Sequence, residues 1–387
     1  MDRINEIMIE LVRCGVCDAP CTVQELDADA LRELFRLSRA QDLMHIVGMA
    51  LDKEGLSAQD ENAAVAFKKA VFSAVCRYEN TSYEYERICA VLEATGIAYI
   101  PLKGSVLRNY YPEPWLRTSC DIDILVKEEM LPDAADALVK KLGYTAGEKG
   151  DHDLLLSAPG GVLLELHFDA LEERYSANDS RDVLSCVWED AREKTPGSFQ
   201  RCMSDEMFYF HHMAHMAKHF ETGGCGIRPF LDVWILTHRK AHDRKKREEL
   251  LRKGGLLTFA QAVEQTAEVW FSGVGADAVT KQIGDYILRA GIYGNRENRA
   301  AIGQAKMGGK LRYVLLRRVF MPYEYLKAEY PVLEKHRWLF PFYQFVRWGR
   351  MLFGGGLSRT AKELKANAGS SDEMFANAAE LLERLGL

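Results

Sequence analysis

Apolar positions recur along the chain with two different periods, and the change between them divides it. Over the first ninety-odd residues the spacing is helical. Ile4, Met8, Leu11 and Val12 share a face, and Leu31, Leu34, Phe35, Leu43, Val47 and Leu51 extend the pattern over one or two further helices. A helical stretch over 61–94 is expected to break at Asn80-Thr81-Ser82 and to stop at Gly96. Residues 97–101 and 121–126 are instead short apolar runs of strand composition. Gly160-Gly161 lies between the runs 152–158 and 162–168, which predicts a β-hairpin. A helix is predicted over 131–142, with Pro132 in its first turn and Gly143 behind it, then a short strand at Tyr144-Thr145-Ala146. Beyond Phe168 the helical period returns, and Ser204 reads as the N-cap of a helix over 205–220. The fold class is therefore α+β, a mixed sheet with helices flanked by helical regions, which excludes an all-parallel doubly wound sheet. The expected divisions are a helical N-terminal region over 1–95, an α/β module over 96–200, a helical C-terminal domain over 201–365, and a linker with a short terminal helix over 366–387.

The candidate chemistry sits in the α/β module. Side chains alternate along a strand, so Asp121 and Asp123 point one way while Ile122 and Ile124 point the other. Adjacent carboxylates repel, and a hard divalent cation, Mg²⁺ (or Mn²⁺), removes the repulsion. On that reading, replacing Asp123 with Asn leaves the metal-free fold as stable or more so. Glu165 and His167 share a face of the second hairpin strand, opposite Leu164, Leu166 and Phe168. If the hairpin pairs beside the Asp strand, Glu165 reaches the same ion, and the metal set becomes Asp121, Asp123 and Glu165. Upstream, the strand over 97–101 runs into Lys103-Gly104-Ser105 and a helix over 106–110, a turn whose amides and hydroxyl suit a phosphate. Arg117, four residues before Asp121, is a candidate phosphate clamp.

Each piece alone is a weak signal; their order is far more specific. The set resembles the nucleotidyltransferase superfamily that includes DNA polymerase beta. The finer resemblance is to bacterial nucleotidyltransferase families of unassigned substrate, including those related to abortive-infection toxins, which carry Lys-Gly, Arg-x-Ser-x-Asp-x-Asp and Glu-x-His. Here these stand as Lys103-Gly104-Ser105, Arg117-Thr118-Ser119-Cys120-Asp121-Ile122-Asp123 and Glu165-Leu166-His167. The motifs cover roughly residues 97–170, and the gap from Gly-Ser to Asp121 is longer than in the most compact members. The resemblance implies transfer of NMP from an NTP, ATP foremost, to a hydroxyl, amine or phosphate acceptor. In it Asp121, Asp123 and Glu165 are catalytic, and Lys103, Gly104, Ser105, Arg117 and His167 bind nucleotide. One rival is a toxin-like enzyme acting on tRNA or protein; another is a non-catalytic nucleotide-binding scaffold.

Composition narrows the partners. The 387 residues are 48% hydrophobic and 27% charged with net charge −6, an ordinary soluble balance that argues against a coat for generic nucleic-acid binding. A small acceptor is accordingly favoured over RNA. No apolar run approaches ~18 residues, so no membrane span is expected. The N-terminus lacks a signal-peptide core, and nine scattered cysteines fit reduced thiols in a cytoplasm. Cys14, Cys17 and Cys21 lack a fourth zinc ligand or a nearby His and read as free thiols. His211, His215 and His219 lie four apart on one helical face and read as core or interface histidines, or else as a wall of the substrate cleft. Arg228 and Asp232, also four apart, are placed to pair with each other or to face the site. Residues 310–350 interleave Arg with aromatics, a pattern that suits RNA but more often an aromatic core with snorkelling Arg.

Overall fold

The computed structural model describes residues 3–56, 60–171, 178–289, 296–307, 320–353 and 372–387. Four helices open the chain: α1 Arg3–Val16, α2 Ala28–Ala40, α3 Met44–Lys53 and α4 Glu61–Thr95. The last begins at Asp60, whose carboxylate accepts from Ala63 N–H, and ends at Gly96 in the left-handed conformation (φ 70°). It runs unbroken for 35 residues, so the break expected at Asn80-Thr81-Ser82 is absent. Thr81 is buried, and its hydroxyl donates to Arg77 O (2.9 Å) and Tyr78 O (3.0 Å), which satisfies a polar residue inside a helix without ending it.

The sheet follows: β1 Tyr99–Pro101, β2 Asp121–Val126, β3 Thr145–Lys149, β4 Asp153–Ser157 and β5 Leu163–His167, with α5 Lys103–Leu107 after β1 and α6 Leu131–Leu142 after β2. Its spatial order is β1-β2-β5-β4-β3. The hairpin β4–β5 forms as predicted, turned by Gly161 at φ 83°. β5 lies parallel to β2, and every other pairing is antiparallel. The α+β class holds.

Alternation gives the two sheet faces different neighbours. Ile122, Ile124, Leu156, Leu164 and Leu166 pack with Leu131, Ala134 and Leu138 of α6 and with Ile88 and Leu92 of α4. Leu125, on the other face, joins a larger helical core that includes Met8, Leu34, Ile46, Phe210, Phe230 and Phe259. That core draws on both α1–α3 and the later helices α9 Asp205–Glu221, α10 Arg228–His238 and α12 Leu257–Ala267, reached through α7 Asn178–Leu184 and α8 Val187–Asp190, with α11 Arg244–Lys253 between. Each fully buried Leu, Ile or Phe contributes about 1.5–3 kcal/mol, and this larger core packs on the face of β2 that carries the carboxylates. α9 starts where Ser204 predicts: its hydroxyl accepts from Met207 N–H (3.2 Å).

Residues 310–319 and 354–371 lie outside the described residues, and with them most of the Arg-aromatic run's first half and the linker. In the rest of the run, Tyr330 is buried, while Phe320, Trp338, Phe342 and Phe345 are exposed. Tyr323, Phe340 and Tyr343 pack against Leu326, Tyr330 and Leu333 as a small aromatic core, in line with the composition, while those four aromatics lie outside it.

Candidate active site

Parallel pairing in register sets the site. Asp123 stands opposite Glu165, and Leu125 opposite His167, so both acid groups and the imidazole project from one face. Leu102 N–H donates to Asp123 O (3.0 Å), which brings the start of α5 against the strand. Lys103 then turns inward. Its Nζ donates to Asp123 Oδ1 at 2.7 Å and lies 3.7 Å from Glu165 Oε2. His167 Nε2 is 3.0 Å from the same Asp123 oxygen and 3.4 Å from Glu165 Oε2. Lys103 takes up φ 44°, a left-handed conformation rare for a side chain of this size, and the paired ammonium helps to hold it there.

Electrostatics separates the two aspartates. Asp123 is 3% exposed; burial opposes its charge, but Lys103 and His167 outweigh it and hold the carboxyl well below the usual range. Asp121 makes neither of those hydrogen bonds, and Lys103 offsets its burial only in part. Burial, then repulsion from Asp123 and Glu165, pushes it up to about 6. Burial likewise disfavours charge on Lys103 and His167, yet the carboxylates raise both. Asp121 and Asp123 therefore titrate as a pair.

The phosphate-turn residues are spaced tightly. A Cβ on Gly104 would lie 3.1 Å from Ser119 Cβ and 3.3 Å from its Oγ, so only glycine lets the Asp loop approach. Arg108 stitches the two segments: Nε donates to Gly104 O (3.0 Å) and Nη2 to Ser119 Oγ (2.9 Å). Ser105, one residue on, is half-buried. Arg117, the expected clamp, is committed elsewhere. Its Nε donates to Asp232 Oδ1 (2.7 Å) and its Nη1 to Thr118 O (2.7 Å), and Asp232, fully buried, also accepts from Tyr111 (2.7 Å). Arg228 pairs with Asp42 (2.8 Å), not with Asp232. Arg108 is the residue the sequence reading missed. It stands four after Gly104, the spacing that lets a helical side chain reach back one turn.

The histidine face of α9 comes to this site. His211 is 1% exposed, and burial first, then the charges of Lys103 and His167, lower it to about 3. Burial and Lys103 likewise depress His215, whose Nε2 lies 3.3 Å from that of His219. Both ring nitrogens of His211 are buried without a partner among the described residues.

The donor set suits a divalent cation. One ligand atom each from Asp123, Glu165 and His167 falls within 4.8 Å of the others. Expectation had Asp121, Asp123 and Glu165 as the set; the structure groups His167 with Asp123 and Glu165, with Asp121 close enough to be repelled by both carboxylates. Two or three carboxylates with one imidazole fit Mg²⁺ or Mn²⁺ better than a thiolate-loving ion.

A mixed sheet that gathers Lys-Gly-Ser, Asp-x-Asp and Glu-x-His on one face defines a nucleotidyltransferase. The chain belongs to the uncharacterised nucleotidyltransferase family, whose model matches residues 27–272. Among solved structures it is similar to the antibiotic-resistance factor ANT(2″)-Ia, described in solution with substrate-regulated conformation dynamics. The two share 14% identity over 51% of this chain and 91% of that one, with a TM-score of 0.27. No curated protein matches the chain. Among the described residues no helix is long and apolar enough to cross a membrane.

Proposed function

We propose that the protein is a metal-dependent nucleotidyltransferase that moves NMP from an NTP, ATP foremost, to a hydroxyl, amine or phosphate of a small acceptor. The observation that carries this reading is the meeting of Lys103, Asp123, Glu165 and His167 around one carboxylate oxygen pair. Asp121, Asp123 and Glu165, with His167 beside them, would hold Mg²⁺ or Mn²⁺. The ion, when bound, supplies charge neutralisation at the triphosphate. Gly104 and Ser105 cradle the β- and γ-phosphates, and Lys103 adds positive charge there. The acceptor oxygen or nitrogen forms a bond to the α-phosphorus, the bond to the bridging oxygen breaks, and pyrophosphate leaves. Glu165 takes or orients the acceptor's proton. Arg108 keeps the Gly104 turn against the Asp loop, and Arg117 anchors that loop to α10.

Transfer to tRNA or protein is the second reading; exposed Trp338, Phe342 and Phe345 offer bases a stacking surface. A non-catalytic scaffold is a third, disfavoured because it gives no reason for three acidic groups to crowd one face. The test is mass spectrometry of cell-extract small molecules, RNA and proteins after incubation with labelled NTPs and Mg²⁺. A labelled small molecule, absent with Asp123→Asn, supports the proposal. Label on tRNA or protein moves the second reading to first place, and no label with any NTP favours the scaffold.

A further inference from the structure

The cysteine cluster at the end of α1 is not what its spacing suggests. Cys17 is outside it. Glu10 and Cys14 lie one helical turn apart on α1, and the following segment, 18–27, which carries no regular secondary structure, brings Cys21 back beside them. A ligand atom from each of Glu10, Cys14 and Cys21 lies within 4.8 Å of the other two. The returning segment also fixes the acid: Thr22 N–H donates to Glu10 Oε1 at 2.6 Å, and the Thr22 hydroxyl donates to the same oxygen. A carboxylate held by outer donors is the usual setting of a metal-ligating acid. At the same end of α1, Arg239 donates to Val16 O (2.6 Å) and Asp18 Oδ2 (2.6 Å).

We propose that Glu10, Cys14 and Cys21 form a binding site for a divalent transition metal, zinc by its chemistry, which fastens segment 18–27 onto α1. Two thiolates select a borderline-soft ion over the Mg²⁺ or Mn²⁺ suited to the carboxylate–imidazole site. Three protein ligands leave a tetrahedral ion one position for water, and half-buried Glu10 and Cys21 give it a route from solvent. Binding replaces two S–H bonds by two metal–sulfur bonds and releases two protons, with no change of oxidation state. The ion is a cross-link across a seven-residue reach in a segment that has no hydrogen-bonded ladder of its own. The site is independent of the nucleotidyl-transfer reading and stands or falls without it.

Cobalt(II) alone is the probe, titrated into the full-length, reduced, chelator-stripped protein. The expected result is a thiolate-to-cobalt charge-transfer band that saturates at one ion per chain and is erased by zinc. The Asp123, Glu165 and His167 set has no sulfur, so cobalt there contributes no such band. Cys21→Ser, at a half-buried position, loses at least half of the band and the zinc-induced rise in Tm. Glu10→Gln weakens cobalt binding, and Cys17→Ser leaves it unchanged. Cys14 is buried, so Cys14→Ser is read only alongside its circular dichroism; Cys21→Ser decides the matter if it fails to fold. A wild-type protein without the band, a band that survives Cys21→Ser, or one lost in Cys17→Ser overturns the proposal.

Discussion

Lys103 Nζ and Asp123 Oδ1 lie 2.7 Å apart, so the buried acid already has a cationic partner within the protein's own chain. His167 gives the same oxygen a second contact at 3.0 Å. This reverses the sequence-based expectation for Asp123→Asn. The substitution removes the nearest charge from Lys103 and leaves it only the more distant Glu165, 3.7 Å away; breaking a buried pair of this kind costs about 3 kcal/mol. Denaturant unfolding in the presence of a chelator checks it. A variant as stable as the parent would mean that the repulsion among the acids, not the Lys103 pair, dominates at this position.

Asp121 behaves in the opposite sense. Its folded-state pKa is raised to about 6 from 3.8 by burial and by Asp123 and Glu165. A raised carboxyl contributes stability when protonated, present in full below pH ~4 and lost as pH rises through about 6. In chelator, the Tm should therefore fall less between pH 4 and 6.5 for Asp121→Asn than for the parent, and the variant should be the more stable of the two at pH 7. Equal slopes would place Asp121 outside the coupled group.

Arg117 and Asp232 test the difference between a clamp and an anchor. Arg117→Ala strands a fully buried Asp232 that is shared with Tyr111, and such losses run to about 3–5 kcal/mol. Stability measured by denaturant should drop by that order. A near-neutral stability with a large rise in KM for NTP would return Arg117 to the phosphates.

Gly104→Ala puts a methyl 3.1 Å from Ser119 Cβ. The Asp loop and the phosphate turn must separate by a few tenths of an ångström. Overpacking of this kind costs about 1–3 kcal/mol, and the KM for NTP should rise more than kcat falls. Steady-state kinetics together with thermal unfolding separate the two effects.

Salt dependence separates a small acceptor from RNA. With net charge −6, the protein offers RNA no broad attractive field, so bulk tRNA should bind weakly and with a shallow salt slope at fixed Mg²⁺. A log–log slope of several units, at roughly −0.7 per phosphate contact, that disappears when Arg317 and Arg318 become Ala would favour the tRNA reading.

The local motifs were legible because each depends on neighbours in sequence. The Gly160-Gly161 turn and the Gly143 boundary follow from left-handed backbone that favours glycine, the Pro132 boundary from a fixed φ, the Ser204 cap from a hydroxyl within reach of Met207 N–H, and the alternation of β2 from strand geometry. The break expected in α4 failed because Thr81 satisfies its hydroxyl on the preceding turn, a bond that composition does not reveal.

The class of fold, the hairpin and the shared faces, Asp121 with Asp123 and Glu165 with His167, were thus set by local pattern. Who meets whom across elements was a matter of packing. The parallel register of β2 and β5 set Asp123 against Glu165. The turn of α5 sent Lys103 into the acids, and the packing of α10 took Arg117 for Asp232. A charged side chain has many partners within reach of its length, and burial selects among them, because an ion taken out of water keeps its charge only where an opposite one is already waiting. That selection depends on contacts between residues as much as 115 positions apart, and no local pattern records it.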